Sequence, residues 1–329
     1  MAPVKVVVQD RYGPPDVLEV RRVAPPIPGQ GEVRVRVRAI ALNPADWHVV
    51  RGLPYLARIA FGLRRPADRL RGTDVAGEVD AVGAGVTLHR PGDRVFGWCK
   101  GAPFAELVCV REDQVAAMPA NLSFEQAAAV PLAATTALQA LRDKGRIRPG
   151  DRVLVNGASG GVGTFAVQIA KWWGAEVTGV CSPRNADLVR SLGADHVIDY
   201  TAEDFTRRDA AFDCILDNVG NHRLSECRRV LADTGTLIPN SGSGGRWFGP
   251  LGTVARATVM DALVRQRLRP FFTKANRGDL LVLKDLIEAG SVTPVVDRVY
   301  RFDEIPAAIR HLETGRARGK VVVSLPGSS

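Results

Sequence analysis

Valine and arginine alternate at Val33-Arg-Val35-Arg-Val37-Arg, the two-residue period of a strand with one buried face and one wet face. Similar short strands are predicted at residues 5–9, 32–41 and 75–82, set apart by glycine and proline, so the first third reads as mostly β. The style changes at Ser123-Phe-Glu-Gln126. A serine followed three residues later by glutamine is a capping box, and it predicts a long helical stretch through Leu141 with a domain boundary near residue 122.

Beyond Asp151, apolar strands at residues 152–156, 176–181, 196–199, 212–219 and 235–239 alternate with helical patterns at 163–173, 186–192 and 223–231. Such alternation requires a parallel sheet joined by crossover helices, the doubly wound α/β class. The pattern weakens after Asn240, where residues 241–245 read as a loop; a last strand is expected at 268–273 and a helix at 279–289. Residues 292–301, a helix at 304–314 and a strand at 320–325 return to the style of the first third. The expected organisation is therefore a mostly-β domain of residues 1–122 with 291–329, and an inserted α/β domain of residues 123–290. A cleft between two such bodies is a common ligand site.

Composition narrows the function classes. With 329 residues, 46% hydrophobic, the chain is long and apolar enough for a packed core, which excludes a disordered chain or a small disulfide module. The five cysteines, Cys99, Cys109, Cys181, Cys214 and Cys227, are widely spaced without a C-x-x-C pair and read as reduced, buried thiols. The net charge of +9 raises the question of nucleic acid. Its clusters, Arg64, Arg65, Arg69 and Arg71, then Arg265, Arg267 and Arg269, lack interleaved aromatics or a recognisable motif, so a solvated basic surface is expected and no specific nucleic-acid partner. The most apolar stretch, residues 127–141, is interrupted by Pro131, Thr135, Thr136 and Gln139 and is too short to span a bilayer. The first ten residues lack the apolar centre of a secretory signal, so a cytoplasmic address is expected.

The most informative segment is Val153-Leu-Val-Asn-Gly157-Ala-Ser-Gly160-Gly161-Val-Gly163, a strand entering a glycine turn and then a helix. Gly160 leaves room for backbone to approach a pyrophosphate, Gly163 lets the helix lie close on the strand, and the helix N-terminus offers unpaired N–H groups and a positive dipole end. Ala158 replaces a glycine of the strict G-x-G-x-x-G fingerprint, and glycine turns also join strands to helices without binding anything. The context of alternating strands favours a dinucleotide. At the end of the next strand, where an acidic residue would hold the ribose 2′-hydroxyl of NADH, the chain instead reads Cys181-Ser182-Pro183-Arg184-Asn185, which suits a 2′-phosphate. NADPH is the expected cofactor, with Asp187 near enough to keep NADH open.

The motifs Asn43-Pro-Ala-Asp46, Gly72-Thr-Asp-Val-Ala-Gly77, Val82-Gly-Ala-Gly-Val86, Pro91-Gly-Asp-Arg-Val-Phe96, the segment 128–138, the Gly160-Gly-Val-Gly163 turn and Gly319-Lys-Val-Val-Val323 together resemble the zinc-independent medium-chain dehydrogenase/reductases, in their quinone oxidoreductase, zeta-crystallin-like branch. The resemblance implies a GroES-like substrate domain, a Rossmann domain, NADPH and a homodimer, for which an edge strand of the Rossmann sheet could pair across a two-fold axis. It would place a zinc-ligating cysteine near Asp46 and a histidine near Thr73, and neither is there; a structural zinc would need four cysteines around residues 95–115, where only Cys99 and Cys109 occur. No metal is expected. Without a Lewis acid, reduction of an isolated ketone needs another group to stabilise the alkoxide, whereas hydride addition to the remote carbon of an enone or quinone spreads charge into an oxyanion that hydrogen bonds or water can hold.

The resemblance also points to individual residues. Asn43 and Asp46 are the catalytic candidates: Asn43 as a donor to the acceptor oxygen or, equally, an Asx turn before Pro44, and Asp46 as an anchor of that loop. His48 and Tyr55 are possible proton donors by chemistry, with packing the commoner role. The cofactor candidates are Thr135, Ser159, Gly160, Gly161, Val162, Gly163, Ser182, Arg184, Asn185, Tyr200, Asn218, Val219, Gly220, Ser241 and Lys320. Residues 49–71, rich in arginine with Tyr55, Leu56, Ile59 and Phe61, read as a loop covering one side of the cleft or as a helix packed by its apolar face. The leading function is an NADPH-dependent quinone or enone reductase. Two readings stand beside it: a zinc-free alcohol dehydrogenase or carbonyl reductase, and a non-catalytic NADPH-binding regulatory protein.

Overall fold

The computed structural model describes residues 2–67, 72–99, 104–241, 247 and 249–325. The chain divides into two units, Met1–Thr135 with Lys274–Ser329, and Thr136–Thr273.

In the first unit, β1 (Val4–Gln9) and β2 (Leu18–Val23) pair as an antiparallel ribbon. The alternating segment is β3 (Glu32–Leu42), with Val33, Val35 and Val37 buried as the period requires. On its other face Arg34 and Arg36 both reach Asp80, at 2.6 Å, and Arg34 is buried there against the period. The segment after β3 is partly helical, with α1 (Pro44–Arg51) and α2 (Arg58–Phe61), so the loop expected at 49–71 is replaced in part by short helices. Arg69 and Arg71 lie outside the described residues. Strands β4 (Asp74–Val82), β5 (Arg94–Trp98), β6 (Leu107–Arg111) and β7 (Val115–Ala117) follow.

The capping box forms as expected: Ser123 Oγ accepts from the Gln126 amide and Gln126 Oε1 accepts from the Ser123 amide, opening α3 (Phe124–Ala128). The single helix predicted through Leu141 is broken, because Pro131 has no N–H to continue the ladder and disfavours helical backbone before it. A new helix, α4 (Pro131–Gln139), starts at that proline and passes into a π-helical segment, Ala140–Gly145.

In the second unit the elements follow the expected alternation: β8 (Arg152–Asn156), α5 (Gly161–Trp172), β9 (Glu176–Cys181), α6 (Ala186–Ser191), β10 (His196–Asp199) and β11 (Phe212–Asp217). Next come α7 (Leu224–Arg229), β12 (Leu231–Pro239), α8 (Pro250–Asp261) and β13 (Arg267–Leu268). The last strand is two residues long where residues 268–273 were expected to pair, since Pro270 cannot donate to a ladder. Of the loop expected at 241–245, residues 242–245 lie outside the described residues. All pairs are parallel, in the order β10-β9-β8-β11-β12-β13. In order of occurrence this is 3-2-1-4-5-6, the Rossmann arrangement, and the direction of winding reverses between β8 and β11.

The chain then returns to the first unit through α9 (Arg277–Glu288), β14 (Val296–Arg301), α10 (Ile305–Glu313) and β15 (Lys320–Ser324). As expected from its pattern, this C-terminal segment joins the first sheet: β15 runs antiparallel to β3 while β14 runs parallel to β15. The sheet is ordered β14-β15-β3-β4-β5-β7, with β6 on the other half of β3, and its core is the GroES-like cluster around Val35, Ile40, Leu42, Val75 and Val323. Among the described residues no helix is long and apolar enough to cross a membrane.

Gly77 lies in β4 where the β3 register shifts between Val37 and Ala39, and a Cβ on it would stand 2.1 Å from the Arg36 carbonyl oxygen. Gly77→Ala must therefore separate two central strands. Chemical denaturation should show a loss of about 1–3 kcal/mol, and an unchanged midpoint would show that the strands yield without strain.

Candidate functional site

The glycine turn occupies the carboxyl end of β8, next to the reversal in winding where doubly wound sheets hold their ligands. Gly157 adopts φ +77°, a left-handed conformation, and a Cβ there would lie 2.8 Å from Val219. The amides of Gly157 and Ala158 donate to the Val180 carbonyl, which ties the turn to β9. At Gly163 a Cβ would be 2.1 Å from the Gly157 carbonyl oxygen, so only glycine lets α5 pack this close to the strand exit. Gly160 differs: a Cβ there meets nothing nearer than 3.4 Å, and its extended backbone, φ −85°, accepts any residue. Its lack of a side chain serves whatever approaches from outside. Among the described residues no side chain caps α5, which leaves the first-turn N–H groups around Gly161, Val162 and Gly163 to a ligand.

A polar network ties the neighbouring strand ends. Asn156 Nδ2 donates to Asp217 Oδ1 at 2.8 Å and to Asn221 Oδ1 at 3.0 Å, and the same Asp217 oxygen accepts from the amides of Val219 and Gly220. Asn240 donates through its amide to the Asp217 carbonyl and through Nδ2 to Asn218 Oδ1. The loop 218–220 is thereby fixed beside the turn, with Val219 exposed and Ser241 following Asn240. Asn218 Nδ2 is buried and, among the described residues, has no partner. A buried amide donor without an acceptor costs about 1–3 kcal/mol unless something supplies one.

The segment after β9 forms a second wall. Ser182 precedes a short 3₁₀ turn, Pro183–Asn185, without a side-chain capping bond, and Arg184 is exposed on that turn. Asn185 Nδ2 donates to Ser159 Oγ at 2.9 Å, linking this turn to the glycine turn, while its buried Oδ1 lacks a partner among the described residues. Tyr200, 55% exposed, donates its amide to the Cys181 carbonyl and so stands beside the same turn. Asp187, the carboxylate that kept NADH open, is exposed and bonded to Arg190 at 3.0 Å. Open glycine backbone, an uncapped helix start and two orphaned buried amide atoms fit the phosphates and ribose hydroxyls of a dinucleotide.

In the first unit the candidates belong to a buried ion network. Asp46 Oδ2 accepts from the Asn43 amide at 2.7 Å, closing a capping box at the start of α1. Asn43 donates both Nδ2 hydrogens inward, to Thr73 Oγ1 and Asp74 Oδ2, and its Oδ1 accepts from Lys320. Lys320, 3% exposed, donates to the Leu42 carbonyl, Asn43 Oδ1 and Asp74 Oδ2, which commits all three ammonium hydrogens. Asp74 also accepts from the Leu132 amide at 3.1 Å, fixing the first turn of α4. One turn on, Thr135 is buried with no partner for its Oγ1 among the described residues. Burial pushes the Asp74 carboxyl above the usual carboxylate range, opposed by the Lys320 charge and by hydrogen bonds from Asn43 and Lys320. Asp74, Asp217 and Asn240 were not assigned from sequence; β4 also carries Glu78 and Asp80 and β11 also carries Asp213, so no local signal singles the two aspartates out.

The other candidates are accounted for by packing. His48 stacks on Trp47 at 3.6 Å and burial lowers its pKa, while the Tyr55 ring packs under Arg58 at 4.8 Å. Cys99, Cys181, Cys214 and Cys227 are buried as expected; Cys109 is only half-buried. The thiols of Cys214 and Cys227 are pushed up to about 12 by burial, so they are inert as nucleophiles. Among the described residues there is no group of three or more His, Cys, Asp or Glu side chains that could hold a metal ion.

Comparison with known proteins agrees with both units. An alcohol dehydrogenase GroES-like domain matches residues 29–120 and a zinc-binding dehydrogenase domain matches residues 192–323. The chain is 36% identical to the zebrafish (Danio rerio) NAD(P)H oxidoreductase RTN4IP1, mitochondrial, over 97% of this chain and 90% of that one. It is 34% identical to the 2-methylene-furan-3-one reductase of tomato (Solanum lycopersicum), covering 95% of this chain and 76% of the other. Among solved structures, the Escherichia coli quinone oxidoreductase complexed with NADPH superposes with a TM-score of 0.83 at 26% identity, covering 97% of this chain and 99% of that one.

Lys320→Met removes the only cation bonded to Asp74 in this network and leaves a buried carboxylate, which should cost about 3–5 kcal/mol at pH 8. The variant's native state then takes up a proton that the unfolded chain, titrating near 4, does not hold. Its stability deficit should therefore widen as pH rises from about 5 and shrink as pH falls toward 5. A deficit independent of pH would contradict the pairing.

Proposed function

The chain belongs to the medium-chain dehydrogenase/reductase family, and we propose that within it the protein is an NADPH-dependent reductase of quinones or α,β-unsaturated carbonyls that works without a metal. The observation that carries this reading is the open glycine turn at the mouth of α5, flanked by Asn218 Nδ2 and Asn185 Oδ1, which have no partner among the described residues. When bound, NADPH supplies a hydride to the acceptor.

The chain's own residues bind and orient. The N–H groups around Gly161, Val162 and Gly163, reinforced by the helix dipole, hold the pyrophosphate. Asn218 Nδ2 offers a donor to a ribose or nicotinamide oxygen at the strand ends, beside the backbone of Val219 and Gly220, whose amides are held by Asp217, with Ser241 beyond them. Ser182, Arg184, Asn185 and Tyr200 hold the adenosine end, with Arg184 offering its guanidinium fork to a 2′-phosphate where NADH would need a carboxylate. Asp187 is a poor candidate for that carboxylate, being engaged by Arg190. In the first unit Thr135 keeps a buried hydroxyl for a ligand, while Asn43, Asp46 and Lys320 are positioning residues: their hydrogen bonds fix the start of α1 and, through Asp74, the start of α4.

Conjugated acceptors suit the absence, among the described residues, of a grouped metal-binding donor set, because hydride addition to the remote carbon delocalises the developing charge. Relatives named as a quinone oxidoreductase and a furanone reductase support the same substrate class.

Arg184→Ala should raise KM for NADPH about tenfold or more while moving KM for NADH by less than about threefold, measured by nucleotide oxidation with a quinone acceptor. The wild-type rate in the same assay should be unchanged by a chelator. Equal effects on the two nucleotides would remove Arg184 as the phosphate reader, and loss of activity to the chelator would remove the metal-free reading.

A further inference from the structure

A cavity of about 460 Å³ opens elsewhere in the second unit, lined by Asp143, Lys144, Arg146, Arg267 and Arg269. Strand register places it toward the amino ends of the parallel sheet. Arg267 is level with Thr236, Thr236 with Cys214, and Cys214 with Val153, the second residue of β8, whereas the glycine turn follows the last residue of that strand. Gly145, which ends the π-helical segment bearing Asp143 and Lys144, lies where a Cβ would be 2.9 Å from Cys214 Sγ.

The charges in this cavity are unbalanced. Asp143 is bonded twice by its neighbour Arg142, at 2.6 and 2.9 Å, and Arg269 stands 3.1 Å from Asp261. Lys144, Arg146 and Arg267 have no carboxylate within salt-bridge distance among the described residues. These three cations share the cavity with one carboxylate, Asp143, that Arg142 already engages; they repel one another, and each gains from a shared polyanion. Arg146 also holds φ +50° at the end of the π-helical segment, a left-handed position that glycine normally fills. An arginine there places a guanidinium at the cavity at a backbone cost that glycine would avoid. Lys144 is steadied over the Phe271 ring, at 5.9 Å.

We propose that this cavity binds a small phosphorylated ligand carrying at least two phosphate groups, of about nucleoside-diphosphate size, at a site separate from the dinucleotide turn. The volume is in the range of small-molecule pockets and exceeds what a single inorganic phosphate fills. Arginine forks match phosphate oxygens in pairs, and Lys144 adds a point charge.

The test is calorimetric titration of ADP, with adenosine as the control lacking phosphate, into NADPH-saturated protein at about 50 mM salt, where screening leaves such contacts effective. ADP should bind at one site and adenosine should not. The double variant Arg146→Glu, Arg267→Glu should weaken ADP at least about tenfold while leaving KM for NADPH unchanged. Arg146→Gly, which relieves the left-handed backbone, should melt no lower than wild type and still bind ADP several-fold more weakly. The proposal is overturned if ADP fails to bind the NADPH-saturated protein, if adenosine binds as well as ADP, or if the charge-reversed variant binds ADP as tightly as wild type.

Discussion

Helix α5 leaves the end of β8 so closely that a Cβ at Gly163 would fall 2.1 Å from the Gly157 carbonyl oxygen. This contact sets what the second unit can do. It brings the first-turn N–H groups of the helix, carrying a positive partial charge, against the edge of the sheet where the winding reverses. The rest of that edge is arranged around the turn: Val180 holds it from β9, Asn185 holds Ser159, and the Asn156–Asp217–Asn240 network holds the loop at 218–220. Most polar groups there satisfy one another. Asn218 Nδ2 and Asn185 Oδ1 have no partner among the described residues, and they lie beside the turn.

The first unit relies on a different device. Its buried Asp74–Lys320 pair, completed by Asn43, joins β4, β15, the start of α1 and the start of α4. Such a pair is weak evidence of net stability, since desolvating two charges offsets much of their attraction. Its geometry is better read as fixing positions: four elements distant in sequence share one set of hydrogen bonds with each donor and acceptor engaged. Thr135 rides on the helix that this set anchors, and its hydroxyl has no partner among the described residues.

Much of this was legible in the sequence wherever the cause is local. Strands buried on both faces appear as short apolar runs, so β8 and β9 were placed from Arg152 and Glu176 onward. Ser123 and Gln126 are three residues apart, and their capping box needs nothing beyond them. The errors came from proline: Pro131 splits a helix that alanine-rich periodicity makes look continuous, and Pro270 ends β13 after two residues. The Lys320–Asp74 contact spans 246 residues of chain, and no local pattern announces which lysine before a strand is solvated and which is buried. The cations around Arg146 are likewise assembled by topology, since Lys144 and Arg267 become neighbours only once β13 joins the sheet.

The claim that the turn exists to admit a diphosphate is tested most directly at Gly160, a glycine of the turn whose freedom the fold itself does not use. Calorimetric titration of NADPH into Gly160→Val, beside its thermal unfolding, separates the two roles. The account predicts an unchanged melting temperature with NADPH binding weakened by about a hundredfold or lost, because branched carbon then fills the path of the phosphates. Wild-type affinity in the folded variant would contradict it.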